Sequence, residues 1–354
     1  MFYRENGQFK SSYAADQQLL PVLQDRVFML ALLLFAFAGV PFLASDYLFL
    51  SIIIPFLILS LAAVGLNLLV GYCGQISLGH AAFMSVGAYA AYNLALRVPQ
   101  LNFLVILVLA GLIAALVGML FGVPSLRIKG LYLAVATLAA QFFIDWVFAR
   151  VKWFTNYAPS GSVQTASVSL FDWTVQSPTE KYLFLLAIVS VLTLAAKNLV
   201  RGRLGRVWMA TRDMDVAAEV IGIRPVYAKL SAFAVSSFFV GIAGALWGFV
   251  HLGAWEPLAF NLSLSLSLLF MIIIGGLGSI LGSFFGAFFI VVLPIILNQV
   301  PGMLGMSLST ATAAHLESMI FGALIVFFLA VEPHGLARLW AIGREKLRLW
   351  PFPH

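Results

Sequence analysis

The chain has 354 residues, of which 62% are hydrophobic and only 10% charged, and its formal net charge is +6. An ordinary soluble domain carries about a quarter charged residues, so this composition excludes a water-soluble globular protein and predicts a chain whose solvent is mostly lipid. The basic residues sit in short segments between apolar runs rather than on one long polar surface, which argues against a nucleic-acid partner and makes them markers of membrane orientation.

A spanning helix needs about 20 apolar residues. In chain order such runs lie near 27–44, 48–70, 80–96, 102–123, 130–149, 181–200, 229–250, 263–280, 283–300 and 315–331. They predict an all-α integral membrane protein, a bundle of about ten transmembrane helices occupying residues 27–331. The first 26 residues are polar, carry Arg4, Lys10 and Arg26, and hold no apolar stretch suited to a cleaved export signal. They are expected to form a cytoplasmic N-terminal segment.

Alternation from that start puts 124–129, 201–228 and the tail 332–354 inside, with 150–180, 251–262 and 301–314 outside. The charges agree. The segment 201–228 carries Arg201, Arg203, Arg206, Arg212 and Arg224, the tail carries Arg338, Arg344, Lys346 and Arg348, and the short turn carries Arg127 and Lys129. The long 150–180 loop has only Arg150 and Lys152 at its edge, so both termini are expected on the cytoplasmic side. Its aromatic residues Trp153, Phe154, Tyr157, Phe171 and Trp173 suit an interfacial belt or a docking surface.

Glycines four residues apart at Gly118/Gly122, Gly244/Gly248, Gly278/Gly282 and Gly282/Gly286 allow close helix approach. The stretch 71–79, Gly-Tyr-Cys-Gly-Gln-Ile-Ser-Leu-Gly, reads either as a cytoplasmic turn or as a broken stretch inside the membrane. The lone cysteine, Cys73, has no disulfide partner and no metal-ligand neighbours and is expected to pack in the interior.

Enzymatic motifs are missing. No Gly-Lys pair exists, so the phosphate-cradling loop of ATPases is absent, and no H-E-x-x-H or G-x-S-x-G occurs. The five histidines are scattered, and no metal or other cofactor is expected on this chain. Asp46, Asp145 and Glu317 fall towards span ends, which disfavours an ion-coupled secondary transporter without excluding one.

The polar segment 201–229 is the most informative. Asp213 or Asp215 can cap a short helix, Gly222 can end it and Pro225 prevents its continuation. Met214, Ala217, Ala218 and Ile221 would form its apolar face, suited to a lipid surface or to a groove on a partner.

These residues also resemble a known pattern. Ala217-Ala218-Glu219 followed by Gly222-Ile223, Lys229 and Ala232-Phe233 resembles the cytoplasmic coupling loop of permeases in ATP-binding-cassette importers. Gly71 to Phe83, Lys129-Gly130-Leu131-Tyr132-Leu133-Ala134, and Gly275-Gly276-Leu277-Gly278-Ser279 ahead of Gly282 resemble the branched-chain amino acid permease family, in its LivM-like branch. Cys73 departs from the small alanine usual there.

The resemblance implies a transport subunit that is not itself an enzyme. It would work beside a second permease subunit, two cytoplasmic ATPase subunits that bind ATP and magnesium, and a periplasmic substrate-binding protein, in a bacterial inner membrane. It implies coupling through Asp213, Asp215, Ala217, Ala218, Glu219 and Gly222. Gly71, Gly74, Gln75, Ser77, Gly79, His80, Gly275, Gly276 and Gly278 would lie along the translocation pathway. Urea or a short amide is the rival substrate.

Overall fold

The computed structural model describes residues 12, 23–123, 131–158, 160–165, 168–170, 173–303, 310–331 and 335–349. Most of the expected N-terminal segment and the 124–129 turn with its Lys129-Gly130 pair lie outside the described residues.

Among the described residues, eight helices are long and apolar enough to cross a membrane. In chain order the long helices are α1 (Arg26–Leu43), α2 (Asp46–Tyr72), α3 (His80–Arg97), α4 (Phe103–Gly122), α5 (Leu131–Arg150) and α6 (Pro178–Arg201). Two short helices follow, α7 (Arg203–Asp213) and α8 (Asp215–Val220). The chain then continues through α9 (Pro225–Leu252), α10 (Leu262–Gly275), α11 (Ile280–Met303), α12 (Thr310–Val331) and α13 (Gly335–Leu349).

All ten apolar runs form helices, and α3 and α12 accompany the eight that meet the length and hydropathy test among the described residues. The polar residues His80, Ser85, Asn93 and Arg97 reduce the hydropathy of α3, yet the helix is buried from His80 to Tyr89 and again at Ala91 and Asn93. Protein, rather than lipid, is the solvent of α3.

Capping sets several starts. Ser177 and Glu180 form a reciprocal capping box ahead of α6, while the side chains of Asn102 and Asn261 accept from amides in the first turns of α4 and α10. Pro225 occupies the first turn of α9, where its missing N–H costs nothing. That helix therefore begins four residues before the run at 229.

α9 is the central pillar and packs most extensively against α4 and α3. Small residues permit the approach. A Cβ at Gly87 would strike the Gly241 carbonyl, one at Gly244 the Met84 carbonyl, and one at Gly118 the Ser237 hydroxyl. Gly282 and Gly286 bring α11 against Gly275 and Met271 of α10 in the same way. Gly278 does not belong to such a face, because it lies in the link between α10 and α11 with a positive φ of 73°.

At one end the long loop folds over the bundle. β1 (Val163–Gln164) pairs antiparallel with β4 (Ala254–Trp255), and β2 (Ser169–Leu170) with β3 (Trp173–Thr174). Asn93 donates to the Phe154 carbonyl at 3.1 Å, and the Arg97 guanidinium lies 3.5 Å from the Trp153 ring centre. The loop thus packs on α3. At the other end α13 closes against α10 and α11, with Trp340 on Phe285.

Candidate functional site

α2 ends in a wide π-helical turn, Leu68–Tyr72, and α3 begins only at His80. Gly74 turns the chain at a φ of +72°, a conformation that costs a residue with a side chain about 1–2 kcal/mol. Ser77, Gly79 and His80 are buried. The stretch 71–79 is therefore a break enclosed by the bundle, with Gly74 and Ile76 at its exposed rim.

Irregular backbone is tolerated inside protein only when its polar groups find partners. Here side chains of α5 and α10, together with Ser77 of the break itself, provide them for the break and the first turn of α3. The Leu78 N–H donates to Thr137 Oγ1 at 2.9 Å, the Gly79 N–H to Ser77 Oγ at 3.4 Å, the Ala81 N–H to Ser265 Oγ at 2.8 Å and the Ala82 N–H to Gln141 Oε1 at 2.8 Å.

His80 is held from both sides. Ser236 Oγ donates to the Gly65 carbonyl at 2.7 Å, so it accepts from His80 Nε2 at 2.8 Å. Ser77 Oγ accepts from the Gly79 N–H and donates to His80 Nδ1 at 2.8 Å. The hydroxyl protons thus define a ring with its hydrogen on Nε2, and the imidazole is a structural bracket between α3 and α9.

A second break faces the first. Gly276 and Gly278 have φ values of +123° and +73° between α10 and α11. Asn67 on α2 serves this link with both ends of its amide. Nδ2 donates to the carbonyls of Gly276 (3.3 Å) and Ser279 (2.9 Å) and to Ser283 Oγ (2.9 Å), while Oδ1 accepts from the Gly278 N–H at 2.9 Å. Gly71 and Gly278 meet so closely that a Cβ at Gly71 would occupy the Gly278 amide. Gly275, Gly276 and Gly278 are thus gathered beside Gly71. Gly79 is pressed on the Thr137 carbonyl.

The segment expected to carry one short helix carries two. Asp213 closes α7, Met214 is extended and stands at the N-cap position of α8, and Gly222 follows at a φ of +88°. The expected apolar face is corrected by the packing. Ala218 is buried against the bundle, and the exposed apolar side chains are Met214, Val216, Val220 and Ile221, beside exposed Ala217 and Glu219. The short helix is anchored by one small residue, so its larger side chains face outwards.

Arg212, at the end of α7, joins this segment to the first break. Its Nη1 donates to the Gly71 carbonyl at 2.8 Å, and its Nη2 lies 2.8 Å from Asp213 Oδ1. Between them opens a polar cavity of about 340 Å³, lined among others by Cys73, Gly74, Gln75, Arg212, Asp215 and Lys229. No cluster suited to a metal ion occurs among the described residues.

Arg212, Asn67, Thr137, Gln141, Ser236 and Ser265 were not singled out from the sequence. The available signal was a neutral polar residue inside an apolar run, or an arginine one helical turn from the coupling pattern.

A multi-helix bundle with two broken helices face to face is the construction of a membrane transport protein. The chain belongs to the family described as branched-chain amino acid transport system / permease component, which matches residues 48–329. It is 31% identical over 280 residues to the high-affinity branched-chain amino acid transport system permease protein LivM of Salmonella typhimurium, covering 73% of this chain and 65% of that one. The identity to the LivM protein of Escherichia coli is also 31%, over 300 residues, covering 76% of this chain and 68% of the relative. The matched part thus spans about two thirds of these relatives' length. No solved structure matches the chain. With its apolar spans, it is a multi-pass protein of the bacterial inner membrane.

Proposed function

We propose that the chain is the translocating subunit of an ATP-driven importer for branched-chain or related amino acids. The observation that carries this reading is the Arg212 link, because it joins an exposed apolar patch on a short helix to the backbone of a broken, buried helix. A chain with a path but no ATPase motif must receive its work from elsewhere. The partners are a second permease subunit, two ATPase subunits that hold ATP and magnesium, and a periplasmic binding protein. The end of the bundle bearing α7, α8 and α13 is cytoplasmic, with both chain termini, which the arginine distribution supports.

In this reading Asp213, Asp215, Ala217, Ala218, Glu219 and Gly222 form the coupling surface. Met214, Val216, Val220 and Ile221 supply its apolar contact area. Closure of the ATPases on ATP moves α8 and α7, and Arg212 passes the movement to Gly71. The breaks at Gly71–His80 and Gly275–Gly278 are where the helices tilt apart to open a path. Gly74, Gln75, Ser77 and Gly79 then come to line that path, together with Gly276.

The test is a charge reversal on the exposed helix. In complexes reconstituted with their ATPases and binding protein, Glu219→Lys is expected to lower both ATP hydrolysis stimulated by loaded binding protein and leucine uptake, by about tenfold. A lipid-facing helix would tolerate the added positive charge, which favours anionic headgroups. Unaltered stimulation and uptake in an intact complex would remove α8 from the coupling site.

A further inference from the structure

The side chain of Gln141 occupies an unusual position. It is fully buried, and its two amide atoms face opposite electrical environments. The oxygen accepts from the Ala82 N–H in the first turn of α3 at 2.8 Å and from the Ser265 hydroxyl at 2.9 Å. The Ser265 hydroxyl itself accepts from the Ala81 N–H at 2.8 Å. The nitrogen donates to both carboxylate oxygens of Asp145 at 3.1 Å and to the Phe260 carbonyl at 2.8 Å. Donors alone surround the oxygen and acceptors alone the nitrogen, so the amide has one orientation.

This is the arrangement that a zwitterion would meet. The first turn of a helix presents unpaired amides and a partial positive charge, while Asp145 presents a full negative charge a short distance away. A neutral carboxamide bridges the two with partial charges only. The carboxylate and ammonium of an α-amino acid, attached to one carbon, carry formal charges with a similar separation and the same polarity. Asp145 has no ion-pair partner among the described residues. Asp145 is partly buried in the last two turns of α5, and an acid within a spanning helix marks a functional place with a partner to be identified.

Unsatisfied polar atoms lie further along the same interface. α3 and α5 run parallel with a constant offset, since Leu78 meets Thr137, Ala82 meets Gln141 and Tyr89 stacks on Phe148 at 4.3 Å. Asp145 lies between the last two levels. Tyr89 is fully buried, within electrostatic reach of Asp145, and its hydroxyl has no hydrogen-bond partner. Trp255, whose ring stands 6.1 Å from that of Tyr89, buries an unpartnered Nε1. The walls beside the charged positions are therefore aromatic, with polar tips available.

We propose that the place held by the Gln141 carboxamide receives the charged head of the transported amino acid, carboxylate to Ala81, Ala82 and Ser265, ammonium to Asp145 and the Phe260 carbonyl. Gln141 closes the site in the absence of substrate and swings aside for it. The apolar side chain of the substrate packs towards Tyr89, Phe148 and Trp255. The inference rests on the importer reading and assigns a substrate position within it.

The experiment uses the complete complex in liposomes, with radiolabelled L-leucine as probe. Asp145→Asn removes the negative charge and keeps the size, and is expected to reduce leucine uptake about tenfold or more. ATP hydrolysis stimulated by loaded binding protein and the thermal midpoint should stay as in the unaltered complex, and Asp145→Glu should recover part of the uptake. Ser265→Ala, which deletes a single hydroxyl, should reduce uptake about threefold with stimulation retained. Normal uptake by Asp145→Asn overturns the head site alone. Uptake, hydrolysis and thermal midpoint falling together also overturn it, by marking Asp145 as a folding residue. An unaltered complex that transports no amino acid overturns the importer reading and the head site together.

Discussion

The two ends of α3 follow opposite rules. At the first turn and the break before it, the amides of Leu78, Gly79, Ala81 and Ala82 all have side-chain partners, and His80 is held on both ring nitrogens. Towards the other end, Tyr89 Oη, Asn93 Oδ1 and the neighbouring Trp255 Nε1 are buried without a partner among the described residues. Burying an unpaired polar group costs about 1–3 kcal/mol, so the first region is a polar joint with its groups satisfied and the second an aromatic wall with unpaired polar tips. Deleting a polar side chain that serves several backbone groups is therefore expected to cost stability, and deleting an unpaired polar tip is not.

The largest effect is expected at the second break, where Asn67 alone serves four groups of the 276–283 region. Asn67→Leu keeps the volume approximately and leaves the carbonyls of Gly276 and Ser279 and the amide of Gly278 without this partner. The Ser279 carbonyl keeps the Ser283 amide, so two groups are orphaned, and at about 1 kcal/mol or more for each the loss should reach ~2 kcal/mol and lower the yield of monodisperse complex at growth temperature. A thermal midpoint within a degree or two of the unaltered protein would mean that the link is held by close packing of Gly71 on Gly278 and that the joint does not depend on polar satisfaction.

A smaller effect is expected at Arg212, which has a partly exposed side chain and contributes one hydrogen bond to the joint rather than several. Arg212→Ala should leave assembly intact and lower the leucine transported per ATP hydrolysed about tenfold, since the Gly71 carbonyl would no longer follow α7. Arg212→Lys should fall between the two, because a lysine keeps the charge but lacks the planar fork that bonds Gly71 and Asp213 together. Coupled transport at the usual ratio in Arg212→Ala would assign the transmission to the contacts of α8 with α9 instead.

Much of the bundle was legible in the residues. Ten apolar runs became ten long helices, and glycine density marked both breaks. The enclosure of 71–79 was not legible, because a turn in water and a break in protein share the same composition and differ only in where the backbone donors go. Those partners, Thr137, Gln141 and Ser265, lie 59 to 184 residues away in the chain. Asn67 and Gln141 carry no charge to mark them in the sequence, although a neutral amide in an apolar run is as constrained by its hydrogen bonds as an acid is by its charge. For α8, helical spacing placed Met214 and Ala218 on one face, and the structure separates them because Met214 is extended ahead of the helix while Ala218 turns to the bundle.

The smallest effect on stability, and the one with the opposite sign, is expected at Tyr89. Tyr89→Phe removes a buried hydroxyl that has no partner and keeps the ring that stacks on Phe148. In the substrate-free complex this deletion should leave the thermal midpoint unchanged or raise it slightly, by less than about 1 kcal/mol in stability, because an unsatisfied group is lost together with its desolvation cost. The same residue should matter once substrate enters, since its ring borders the proposed apolar side chain and its hydroxyl lies within electrostatic reach of Asp145, and uptake should fall by about threefold while ATP hydrolysis stays stimulated. Stability and transport thus move independently in Tyr89→Phe, whereas in Asn67→Leu they fall together. A Tyr89→Phe complex that melts well below the unaltered one would show that the hydroxyl is satisfied after all and would erase the distinction between the two ends of α3.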